Sequence, residues 1–240
     1  MENDNASVIA FTGRHGTGKT TMINHFVHNN PFPDINVYAV KSRAKNIYAD
    51  HNVRIQDPLP YEKRLEIQKD VFSSWIDMMY SCKKNLDPRK KNIILTDRSP
   101  LDIAAYLFVD YVRGISDNLE AETKRFLNTA LIYASDHNTA DYNNKITTHI
   151  VYDHTFDIGE RGFSNLFDLS YLAIHDKFLN MLSERQHKNG KRISDIPNIV
   201  RPDNLDLESN KDTHAFIFNK RYIDLLNVIQ NIFYPHLIKR

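Results

Sequence analysis

The sequence predicts a doubly wound α/β fold, a five-stranded parallel sheet with helices on both faces. Three observations carry that prediction. Five short apolar runs alternate with segments of helical spacing, the pattern of parallel strands joined by helical crossovers. The first run leads directly into Gly13-Arg14-His15-Gly16-Thr17-Gly18-Lys19-Thr20, a G-x-x-x-x-G-K-T phosphate-binding loop with a helix behind it. No internal repeat and no flexible linker divides the 240 residues, so 1–240 reads as a single domain.

Ser7–Phe11 is a short apolar run suited to a buried parallel strand. In the loop after it, backbone N–H groups can wrap a β-phosphate at the positive end of a helix. Gly13, His15, Gly16, Thr17, Gly18, Lys19, Thr20 and Thr21 are therefore the nucleotide-binding candidates. Lys19 is placed to reach β- and γ-phosphates, and the Thr20 hydroxyl to bind Mg²⁺. His15 occupies a variable position of the motif and can stack near a base or phosphate. Three of the chain's seven glycines fall in this loop, more than a plain strand-to-helix turn asks for. Met22, Ile23, Phe26 and Val27 then recur with helical spacing.

Asn36–Val40 reads as a second strand, and residues 41–60 as irregular, with Lys41, Arg43, Lys45 and Arg54 before Pro58 and Pro60. A helix is expected from Tyr61 to about Asn85, with Leu65, Val71, Phe72, Trp75, Ile76 and Met79 inward. Leu86-Asp87-Pro88 ends it. Arg89-Lys90-Lys91 is a basic turn, read as a solvated loop with a nucleic-acid contact as its rival. Asn92–Asp97 is the third strand. It delivers Asp97-Arg98-Ser99 at its carboxyl end, where open α/β sheets bind ligands.

Pro100 suits the first turn of a helix running to about Val112, which Gly114 stops. Residues 115–144 read as a helical insertion beside the substrate site, with a helix over Leu119–Ala134 and a polar tail. Thr147–Tyr152 is the fourth strand. Gly159-Glu160-Arg161-Gly162 leads to a long helix from about Phe167 to Arg185. Residues 186–212 are polar, Ala215–Phe218 is the expected fifth strand, and Arg221–Phe233 is a final amphipathic helix.

The bulk numbers narrow the partners. A net charge of +1 demands neither nucleic acid nor an anionic membrane surface. No apolar run approaches 18 residues, so no membrane partner is expected. Cys82 is the single cysteine and excludes an internal disulfide. With no signal-peptide pattern either, the expected location is the cytoplasm. Abundant asparagine and tyrosine with scarce glycine fit an AT-rich genome, a viral one included. The histidines form no metal-ligand spacing. The oligomeric state is left open, a homodimer being one option.

Asp97 admits two readings. It holds Mg²⁺ through water or takes the proton from an attacking hydroxyl, or else it caps the helix starting near Pro100, a task open to Ser99 as well. Arg98 either holds phosphate or substrate oxygens or is a plain surface arginine. The pairing of G-x-x-x-x-G-K-T with Thr96-Asp97-Arg98-Ser99-Pro100-Leu101-Asp102 resembles the P-loop nucleoside and nucleotide kinases. Thymidylate kinases carry Asp-Arg and an aromatic residue here, and deoxynucleoside kinases carry Glu-Arg-Ser. The group around bacterial nicotinamide riboside kinase carries Asp-Arg-Ser/Thr-Pro opening a helix.

That resemblance implies a kinase using ATP and Mg²⁺, with Lys19, Asp97, Arg98 and Arg161 as catalytic residues and Thr20 and Asp97 at the metal. Arg161 enters through the likeness of residues 155–166 to the mobile lid of these kinases. An ordinary turn with an exposed arginine is its rival. One departure stands out. Deoxynucleoside kinases place a catalytic glutamate just after the second strand, where this chain has Lys41-Ser42-Arg43 and no carboxylate before Asp50. Lys41 and Arg43, with Arg98, point instead to an anionic acceptor, or form a basic rim unrelated to substrate. Three functions follow. The first is transfer of the ATP γ-phosphate to a nucleoside or nucleotide. The second is a kinase acting on nucleic acid, at a strand end or a hydroxymethylated base. The third is a non-transferring ATPase switch, disfavoured because no glutamate adjoins Asp97.

Overall fold

Alternating apolar side chains build the sheet, and each face of it finds its own helices. The computed structural model describes residues 6–13, 16–54, 57, 59–112, 117–134, 146–152, 177–179, 181, 199–200 and 213–235. Five strands run parallel: β1 (Ala6–Thr12), β2 (Ile35–Val40), β3 (Lys91–Asp97), β4 (Thr148–Val151) and the two-residue β5 (Ile199–Val200). Their order is β2-β3-β1-β4-β5, so β1, with the phosphate-binding loop at its end, lies in the middle. Six helices have described bounds, α1 (Lys19–His28), α2 (Ala44–Asp50), α3 (Tyr61–Lys84), α4 (Pro100–Val112), α5 (Asp117–Ala134) and α6 (Thr213–Phe233), and residues 177–179 are helical too.

Ile9 and Phe11 of β1, with Ile93, Leu95 and Ile150, pack against Met22, Ile23 and Phe26 of α1 and Leu225 and Ile229 of α6. The intervening residues Val8, Ala10 and Ile94 face the other way, onto Trp75 and Met79 of α3. This period-two division is what a strand buried on both faces must show. A third apolar cluster joins α2, α3, α4 and α5 beside the sheet.

Two sequence expectations are corrected. Residues 41–60 are not wholly irregular, because Ala44, Ile47 and Tyr48 are buried with i, i+3, i+4 spacing and form α2. Ala215–Phe218 is not a strand. It continues a helical period in which Ile217, Arg221, Leu225, Val228 and Ile229 are buried, and belongs to α6. A four-residue apolar run cannot be told from a buried helical segment by its apolar pattern alone, and the longer period decided. The strand beyond β4 is Ile199–Val200, paired in register with His149 and Ile150. Residues 155–166 and most of the expected helix over 167–185 lie outside the described residues.

Candidate phosphate-binding site

β1 and β3 pair with Phe11 opposite Asp97, and Thr12 lies opposite Val151 of β4. The three carboxyl ends therefore meet where the loop begins. Gly13 has φ +135°, and a Cβ there would stand 2.4 Å from the Tyr152 carbonyl oxygen at the end of β4. Only glycine fits so close an approach in that conformation. Gly18 ends the loop with φ 83° as the residue preceding α1, and no side chain caps that helix. The first turn of α1 thus turns the positive end of its helix dipole to the loop, where an anion is favoured. Arg14 and His15 lie outside the described residues.

Lys19 donates from Nζ to the Gly13 carbonyl oxygen at 2.7 Å, and its Nζ lies 3.4 Å from Thr17 Oγ1. Burial pushes the Lys19 ammonium pKa down, while the carboxylates of Asp102 and Asp97 work against that. The Thr20 hydroxyl donates to Asp97 Oδ2. The loop's hydroxyl and the acidic strand end therefore meet, two hard oxygen donors of the kind Mg²⁺ takes. Thr17 is buried and Thr21 is exposed on the first turn of α1.

The helix cap expected of Asp97 or Ser99 falls to Ser99. Its Oγ accepts the Leu101 N–H at 3.1 Å and meets Thr12 Oγ1 at 3.0 Å. Asp102 completes the cap, accepting the Ser99 N–H at 2.9 Å through Oδ2. Its other oxygen, Oδ1, accepts the Gly13 N–H at 2.8 Å. One buried carboxylate thus ties the start of α4 to the start of the phosphate-binding loop.

Arg98 is a non-glycine residue at φ 79°, a conformation that costs about 1–2 kcal/mol for an L-residue. It is held there by a relay in which Trp75 Nε1 donates to Thr96 Oγ1 at 3.0 Å and Thr96 donates to the Arg98 carbonyl at 3.1 Å. Its guanidinium lies 5.2 Å from the centroid of the Tyr106 ring. Burial opposes the Arg98 charge, but Tyr106, Asp102, Asp97 and Tyr48 outweigh it and push its pKa further up. Backbone strain of this kind clusters at functional sites.

Beyond Arg98, helices α2, α3 and α4 present a polar group of their own. Arg64 donates to Asp110 Oδ1 at 3.3 Å, and Gln68 and Tyr48 are both buried close by. Burial, first, and then the Asp110 charge raise the Tyr48 pKa, against Arg98 and Arg64. Lys41 and Arg43 are exposed just past β2, whose last residue Val40 pairs with Thr96. They stand at the rim, level with Asp97, and neither forms an ion pair among the described residues. The basic turn Arg89-Lys90 precedes β3 and so lies at the opposite end of the sheet, about 20 Å from Asp97 along a seven-residue strand. Arg161 lies outside the described residues.

Two residues of the site were missed in the sequence. Asp102 had a legible signal, since Ser99-Pro100-Leu101-Asp102 has the capping-box form with aspartate in place of glutamate. Arg221 had a weaker one, a lone arginine on the apolar stripe Ile217, Leu225, Val228. It is 1% exposed, donates to the Thr17 carbonyl oxygen, and stacks 4.0 Å above the Tyr152 ring centroid.

Comparison with known proteins agrees with this geometry. The fold is similar to a thymidylate kinase from Candida albicans, at a TM-score of 0.52 and 12% identity, covering 95% of this chain and 92% of that one. It is similar too to the NadR protein in complex with NR, at a TM-score of 0.52 and 13% identity over 92% of this chain; the match spans only 50% of that protein. No curated protein sequence matches significantly. A family model described as AAA domain matches residues 8–149, from β1 through the loop and the Asp97 strand into β4. With more than half its length matched, the chain belongs to that AAA domain family.

Proposed function

We propose that this protein is an ATP-dependent phosphotransferase that moves the γ-phosphate to a hydroxyl or phosphate of a nucleoside or nucleotide. The observation that carries the reading is the contact between Thr20 and Asp97, with Lys19 alongside in the same loop. It joins the phosphate-binding loop to an acidic strand end in the place where the transferring group must lie. The loop amides and the first turn of α1 hold the β-phosphate. Lys19 exchanges its bond to the Gly13 carbonyl for phosphate oxygens and offsets their developing charge. Thr20 and Asp97 fit Mg²⁺, which when bound would draw charge from the β- and γ-oxygens.

On the acceptor side, Arg98 is oriented by its strained backbone and charged, suited to an anionic group or a substrate hydroxyl. Lys41 and Arg43 at the rim favour an acceptor that already carries phosphate. Asp97 serves as base if the acceptor hydroxyl needs one. Residues 155–166 act as the lid, with Arg161 brought to the transferring group on closure, and residues 115–144 border the acceptor site as an insertion within one 1–240 domain. The basic turn at the opposite end of β3 gives the nucleic-acid reading no support.

The test is to incubate the protein with γ-labelled ATP and Mg²⁺ beside a panel of nucleosides, nucleotides and modified DNA. Label on one nucleoside or nucleotide is the expected result. Release of inorganic phosphate alone, whatever the acceptor, would establish an ATPase instead, and label on DNA alone would establish a nucleic-acid kinase.

A further inference from the structure

We infer that Arg221 is a positioning residue for the phosphate-binding loop: a buried cation on α6 that holds the Thr17 carbonyl and adds positive potential to the anion site. The inference rests on the proposed nucleotide-binding role of the loop. The residue lies 204 positions from Thr17 in sequence, yet its Nη1 donates to the Thr17 carbonyl oxygen. Its guanidinium carbon lies over the Tyr152 ring, 4.0 Å from the centroid. Tyr152 in turn has its backbone against Gly13 and its N–H on the Thr12 carbonyl at 2.9 Å. Arg221 and Tyr152 thus brace both the start and the middle of the loop.

Two physical effects follow. A peptide unit whose carbonyl is engaged by Arg221 is fixed in orientation, so the neighbouring amides of Thr17, Gly18 and Lys19 are preorganised for an anion rather than free to rotate. A charge 1% exposed is weakly screened, so it contributes to the potential at the loop over distances where a surface arginine would not. Lys19 feels it, because the Arg221 charge is among the causes lowering the Lys19 pKa. Burying an arginine is unfavourable for stability compared with an apolar side chain in the same place. Its position on the otherwise apolar stripe of α6 is accounted for by what it does for the loop.

The test uses the full chain and three variants: Arg221→Lys keeps charge and a donor, Arg221→Gln keeps a donor without charge, and Arg221→Met keeps neither. Each is titrated with Mg²⁺·ATP and with inorganic tripolyphosphate, which offers the loop phosphates and nothing else. Thermal melting without ligand checks the fold. Affinity for both ligands is expected to fall in parallel, within about threefold for lysine, further for glutamine, and roughly tenfold or more for methionine. If the methionine variant does not fold, the glutamine variant decides. A folded glutamine variant that binds both ligands as the parent does overturns the role of Arg221 alone. A loss confined to ATP, with tripolyphosphate unchanged, overturns it too, because the arginine would then act away from the phosphates. A parent that binds neither ligand, and does not differ from Lys19→Ala, overturns the nucleotide-binding reading and this inference with it.

Discussion

The hydroxyl of Thr20, on the first turn of α1, donates to the carboxylate of Asp97, which ends β3 77 residues later in the chain. The parallel pairing of β1 with β3 makes this contact possible. Phe11 opposite Asp97 places the loop that follows β1 directly beside the acidic residue. Ser99 and Asp102, not Asp97, cap α4, and the Asp97 carboxylate meets the loop instead.

Asp97→Asn is therefore expected to act on turnover more than on binding. The amide keeps the shape and can still accept from Thr20, but the charge that matters as the phosphoryl group transfers is gone. We expect the rate at saturating ATP to fall by roughly a hundredfold while ATP affinity moves by less than about tenfold. Single-turnover transfer and an ATP titration on the same preparation separate the two, and an active variant would reduce Asp97 to a structural partner of Thr20.

Lys19→Ala should abolish transfer without unfolding the protein. The ammonium loses solvent in the loop, as its lowered pKa records, so its removal relieves a desolvation penalty rather than breaking a core. Loss of about 3 kcal/mol of transition-state stabilisation is expected, with a melting temperature equal to or above the parent's. Turnover near normal would take the loop out of the mechanism.

Gly13→Ala tests the geometry of the loop's first residue. A methyl group would meet the Tyr152 carbonyl oxygen at 2.4 Å, a backbone atom that cannot swing away, and φ +135° is unfavourable for alanine. A loss of about 3 kcal/mol or more is expected in urea denaturation, with the slope of the transition unchanged. A variant as stable as the parent would mean the loop can shift away from β4 at little cost.

Much of this site is legible in the sequence. The glycine loop, the carboxyl-end Asp97 and Arg98, and four of the strands follow from short apolar runs and fixed motif spacing, both of which are local. What stays hidden depends on contacts distant in sequence. Nothing near Arg221 announces that it will reach Thr17, and nothing near Asp102 shows that its second oxygen will find Gly13. The misread Ala215–Phe218 is the same lesson in reverse. Four apolar residues satisfy either period, and the longer helical period that runs on through Arg221, Leu225 and Ile229 selects the helix.

His149 gives the stability of the chain a predictable pH dependence. It is fully buried in β4, donates from Nε2 to the Ala134 carbonyl at 3.0 Å, and burial foremost lowers its pKa to about 4. The unfolded chain binds that proton at about pH 6.5. Between those values the unfolded state holds more protons than the native one, so native stability falls as pH drops from about 6.5 to about 4 and is fully present above 6.5. This one group contributes on the order of 3 kcal/mol across that window. His149→Gln, which keeps a donor for Ala134 and cannot titrate, should flatten that part of the profile. Urea midpoints from pH 7 to 4 in parent and variant give the comparison. Parallel curves would show that His149 is protonated in the native state without penalty.

Asp102→Asn probes the link between the two halves of the site. The parent carboxylate accepts from Gly13 N–H at 2.8 Å with one oxygen and from Ser99 N–H at 2.9 Å with the other. An asparagine has one oxygen, so one of these buried amides must face an NH₂ group and lose its partner. Leaving a buried donor unsatisfied costs about 1–3 kcal/mol. Asp102 also heads the charges that offset the burial of Lys19, so the same change should disturb the loop lysine. Ser99→Ala is the control. It removes the hydroxyl that caps Leu101 and meets the buried Thr12 Oγ1 but leaves both bonds of Asp102 to backbone amides in place, and should cost about 1–3 kcal/mol of stability. If Asp102 couples the loop to α4, the asparagine variant loses both stability and ATP affinity while Ser99→Ala loses stability alone. Equal ATP affinity in the two variants would mean that Asp102 is a helix cap and nothing more.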